Sequence, residues 1–61
     1  MTENAADKLA CVQRELKMRE YVYPRRIEAG KMTAGKAEFE LRLMRAIVED
    51  YRIIVERERL I

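Results

Sequence analysis

Sixty-one residues, with 13 Lys and Arg against 11 Asp and Glu, no His and a single Cys, limit what this chain can do. The length admits one small domain, 1–61, and the missing residue types exclude zinc modules, disulfide frameworks, His-based acid–base catalysis and Ser–His or Cys–His nucleophile pairs. An apolar fraction of 49% with only two Gly and one Pro argues against disorder and for long helices.

A first helix is expected over about 4–29. Asn4 suits the N-cap, and Asp7 puts a carboxylate in the first turn, where the helix dipole favours it. Leu9, Val12, Leu16, Tyr23 and Ile27 follow at helical intervals and form one stripe, interrupted by Arg19. Cys11, Met18 and Val22 form an adjacent stripe, on which Cys11 is expected to be a small buried hydrophobe and Met18 a packing residue. Glu15 and Arg19 have the spacing of an i,i+4 ion pair. Pro24 lacks a donor and clashes with the carbonyl of Glu20, so a kink or a restart of the helix is expected there. In a restart, Pro24 would open the last turn or two, where its missing N–H matters least.

Gly30 has the chemistry of a left-handed helix C-cap, with Met32 placed to add an apolar contact, and Thr33 is the N-cap of a second helix. Stop and start signals three residues apart predict a tight helix–turn–helix corner. The second helix is expected over about 34–59. Ala37, Leu41, Met44, Val48, Tyr51 and Val55 step by 4, 3, 4, 3 and 4, a heptad-like seam. Leu43, Ala46, Ile47, Ile53 and Ile54 widen the apolar face beyond it. Glu38–Arg42, Arg45–Glu49 and Arg52–Glu56 are expected as ion pairs on the solvated side. Helices of matched length joined by a short corner form an antiparallel hairpin, and one helix covers only part of so wide a face. The expected fold is therefore all-α: a two-helix antiparallel hairpin that dimerises into a four-helix bundle. Its candidate oligomer interface is Leu41, Met44, Ile47, Val48, Tyr51, Ile54 and Val55.

The stretch from Arg14 to Thr33 reads RELKMREYVYPRRIEAGKMT. Its R-E-L-x-M-R, V-Y-P-R and G-[KR]-M-[ST] elements, at Arg14–Arg19, Val22–Arg25 and Gly30–Thr33, resemble a family of short proteins found in proteobacterial genomes and their phages or prophages. That family has no established activity, so the resemblance implies a phage-like genomic origin and little chemistry. The corner is also similar to the Gly-x-aliphatic-Thr turn of helical-hairpin oligomerisation modules of the SHOCT type. In those modules an acidic pair and a Phe follow at once, whereas Phe39 here comes six positions after Thr33, and the likeness is one of turn physics.

Charge is unevenly placed. Between Tyr23 and Lys36, four cations (Arg25, Arg26, Lys31, Lys36) stand against Glu28, a local net of +3, while the rest carries nine basic and ten acidic residues. Two readings of this corner stay open. Tyr23, Arg25, Arg26, Lys31 and Lys36 form a partner- or nucleic-acid-binding site, with the cations on phosphates or an acidic protein surface. Alternatively, the cations complement the negative end of the first helix while Tyr23 fills the core and Pro24 fixes the bend. Glu49 and Asp50, adjacent on a helix, point about 100° apart and do not converge on a metal. No cofactor, metal or catalytic residue is expected. The expected function is that of a non-enzymatic phage-type accessory protein acting by self-association and protein binding, with nucleic-acid binding through the basic tips as the alternative. A single Cys, no signal-peptide pattern and no apolar run of membrane-spanning length lead to the expectation of a cytoplasmic protein without membrane contact.

Overall fold

A computed structural model describes residues 3–60. They form two helices, α1 (Ala5–Glu28) and α2 (Ala34–Arg59), with no strand among the described residues.

Asn4 is extended at φ −85°, ψ 162°, and its Oδ1 accepts the Asp7 N–H at 2.7 Å, so the side chain satisfies one of the free donors of the first turn. From there α1 runs unbroken through Pro24 to Glu28. A restart at Pro24 therefore does not occur. The ring's fixed φ is compatible with a helix. Both Pro24 and Glu20 are exposed, which leaves water to serve the carbonyl that Pro24 cannot.

The corner is built by backbone hydrogen bonds. Gly30 is left-handed at φ +73°, its N–H donates to Ile27 O at 3.0 Å, and the Lys31 N–H donates to Arg26 O at 2.9 Å. These two bonds are the pair that defines a Schellman motif. A Cβ at Gly30 would meet nothing within 4 Å, so the need for glycine there is conformational and not steric. The positions that usually make the apolar contact of this motif are Arg26 and Lys31, both exposed, and the half-buried residue of the corner is Met32. Thr33 then caps α2, its Oγ1 accepting the Lys36 N–H at 3.1 Å.

The helices return antiparallel, and two ion pairs between them fix the register: Arg19 Nη1 to Glu40 Oε1 at 3.9 Å and Arg45 Nη2 to Glu20 Oε2 at 3.1 Å. The pairs sum to 59 and 65, so residues whose numbers sum to about 62 are level along helices rising about 1.5 Å per residue. The buried residues are Ala5 and Tyr23 on α1 and Ala37 and Met44 on α2. Leu41, Val48, Tyr51 and Val55 are half-buried. Among the described residues only α1 is available to cover α2, so the heptad-like seam lies against α1.

This core is thin. Among the described residues no side chain is fully enclosed. The surface is 5149 Å², against about 4,200 Å² for a compact protein of 7.3 kDa. The radius of gyration is 14.3 Å, against roughly 10.5 Å for a compact chain of this length, and the molecule is a rod of 48 × 19 × 16 Å.

Candidate functional site

The basic corner separates into a support and a display. Tyr23 is buried and is part of the core beneath the corner. Arg25, Arg26, Lys31 and Lys36 are exposed. Among the described residues none of these four cations has a carboxylate oxygen within 4.0 Å. The Arg25 guanidinium lies over the Tyr21 ring at 4.7 Å, a cation–π contact on an exposed aromatic. Arg25 and Arg26 occupy the last turn of α1, where the helix dipole favours cations. The Schellman bonds hold Arg26 and Lys31 at a fixed backbone distance, so the charge cluster stands on a rigid turn.

The seven residues expected at an oligomer interface divide into three groups. Met44 is buried, Leu41, Val48, Tyr51 and Val55 are half-buried on the seam against α1, and Ile47 and Ile54 are each 38% exposed. The large apolar side chains that stand in solvent are a partly different set. They are Met18, Tyr21 and Phe39, together with Leu43, Ile53 and Leu60, at 44–80% exposure. For α2 the signal was present in the spacing: Leu43, Ile47 and Ile54 step by 4 and 7, a second stripe beside the seam.

Two expectations for α1 are corrected. Cys11 is exposed and is not a buried hydrophobe, and Met18 is 59% exposed, at the edge of the hairpin and not in its core. Both belong to the stripe that turns away from α2. The ion pairs of α2 also differ from those expected. Arg45 is drawn across to Glu20 of α1, Arg52 takes Glu49 at 3.6 Å, and Arg42 lies over the Phe39 ring at 5.9 Å. The Arg45 exchange follows from tertiary structure, since a partner on the neighbouring helix competes with one on the same helix.

One polar cluster sits amid the apolar residues. Arg19 Nε donates to Glu15 Oε1 at 2.9 Å, while its Nη1 faces Glu40. The hydrogen bond to Glu15 raises the pKa of Arg19 against a small opposing effect of burial, so the guanidinium stays charged. Shallow grooves flank the helices, one lined by Gln13, Lys17, Glu20 and Val48, another by Glu15, Met18, Arg19 and Val22. Leu60 is 80% exposed, and Ile61 lies outside the described residues. Among the described residues no helix is long and apolar enough to cross a membrane. No family model, curated protein or solved structure matches the chain.

Proposed function

We propose that this chain is a non-enzymatic interaction protein that works by self-association, two hairpins pairing into a four-helix bundle. The observation that carries this reading is the thin core: the hairpin leaves large apolar side chains in solvent and encloses none of the described ones fully. A second apolar layer supplies the burial that a two-helix chain of 61 residues lacks. The motif resemblance adds an accessory role of phage or prophage type, with a protein as the onward partner, and the lone thiol suits the reducing cytoplasm. A bend of α1 at Pro24 would wrap its last turn over the corner.

Sedimentation equilibrium at micromolar concentration tests the assembly. The expected mass is twice 7.3 kDa. A stable, fully helical monomer overturns the reading.

The nucleic-acid reading is favoured by one observation, the four corner cations left without carboxylate partners among the described residues. Electrophoretic mobility shift at two salt concentrations tests it. Phosphate contacts give binding that weakens as salt rises and disappears in Arg25→Glu with Arg26→Glu. Absence of binding at low salt sets this reading aside.

A further inference from the structure

The two broad sides of the hairpin are chemically unlike. The Arg19–Glu40 and Glu20–Arg45 pairs mark opposite edges of the contact between the helices, because 100° per residue places Arg19 and Glu20 on either side of the α1 stripe. On the Glu20–Arg45 side the residues flanking the contact are Gln13 and Lys17 on α1 and Glu49 and Arg52 on α2, all exposed and polar, with Tyr21 and Ile53 exposed further out. On the Arg19–Glu40 side the same helical count brings up Val22 and, further out, Met18 on α1, and Leu43, Ile47 and Ile54 on α2, with Lys36 and Asp50 as the charged members of that stripe. The exposed apolar stripe of α2 and the second stripe of α1 therefore share one side. Between them lies the Glu15–Arg19–Glu40 cluster, one guanidinium shared by two carboxylates.

We infer that a second copy of this chain covers the Arg19–Glu40 side, with the two basic corners at opposite ends of the bundle. This inference rests on the self-association proposed above and adds the face and the orientation. Area supports the occupant. A side of 48 × 19 Å is roughly 900 Å², close to the ~800 Å² that each partner contributes to a standard stable interface. The excess surface of the hairpin over a compact chain, about 1,000 Å², is of the same size. Charge sets the orientation. The corner carries a net +3, whereas the open end, residues 3–8 and 55–60, carries four carboxylates against three cations. Aligned corners repel, and opposed corners each meet an end of opposite sign. The apolar residues lie about the middle of the rod, between the levels of Ile54 and Val22, so a twofold axis across the hairpin superposes them in the opposed arrangement.

The test uses the full chain in three forms followed by sedimentation equilibrium: wild type, Leu43→Glu with Ile47→Glu, and Gln13→Glu. The expected result is a wild-type dimer, a dissociation constant raised about 100-fold or more by the pair of glutamates, and one within about threefold of wild type for Gln13→Glu. A wild-type chain that remains at 7.3 kDa overturns self-association and this inference with it. A wild-type dimer that Gln13→Glu dissociates and the glutamate pair leaves intact preserves self-association and overturns the face.

Spin labels keep the inference testable if the glutamate variants also unfold. They are placed one at a time in Cys11→Ser chains, at Lys17→Cys on the polar side and Lys31→Cys at the corner. Labels at 17 on outward-facing sides lie more than about 25 Å apart, and below about 15 Å if that side is the interface. Labels at 31 on opposed corners lie roughly 35–45 Å apart, and within about 25 Å if the corners are aligned. A short distance at 17 overturns the face, and a short distance at 31 overturns the orientation.

Discussion

At Gly30 the backbone itself imposes the residue type. Its φ of +73° is strained for any L side chain, although the space around it is open. Gly30→Ala should therefore destabilise the fold by about 1 kcal/mol through backbone strain alone, read as a lower midpoint in urea with an unchanged slope. Arg19 is the other residue whose geometry makes a prediction. Its bond to Glu15 is 2.9 Å and its approach to Glu40 is 3.9 Å. Double-mutant cycles with Glu15→Gln and Glu40→Gln should give the larger coupling for Glu15, whose contact is the shorter and carries the hydrogen bond. Gly30, Thr33 and Asn4 were legible in the sequence because a cap is decided within four residues of chain. Cys11 and Met18 were not, because their burial depends on which of two neighbouring stripes a second helix covers.

At the scale of the helix, Pro24 shows how a local rule yields to its setting. Lying in the last turns of α1 and exposed, it costs a hydrogen bond without ending the helix. Pro24→Ala should restore that bond and stabilise the fold by about 1–3 kcal/mol, raising the thermal midpoint. A fall in the midpoint would show instead that the proline is needed for the geometry of the corner. The seam of α2 was fully legible: Ala37, Leu41, Met44, Val48, Tyr51 and Val55 are all buried or half-buried. What the spacing did not settle was the partner. A repeat near 3.5 residues specifies a face that meets a helix, and α1 and a second chain satisfy it equally. The flanking stripe of Leu43, Ile47 and Ile54 is what the hairpin leaves over, and only the register between the helices places it beside Met18 and Val22.

As a whole molecule, the chain is a single fold-back about a corner of five residues, 29–33. Such a corner has a kinetic consequence. Closing a loop of that length takes well under a microsecond and costs little entropy, and every later contact forms by zipping outward from it. Folding of one chain is then fast, as in other helical topologies whose contacts are local. For an assembly of two such chains, encounter in solution is the slow event. Stopped-flow refolding by circular dichroism should show a rapid phase independent of concentration followed by a second-order phase whose half-time halves when the protein concentration doubles. A single phase indifferent to concentration would mean that the corner carries the chain to its final state alone.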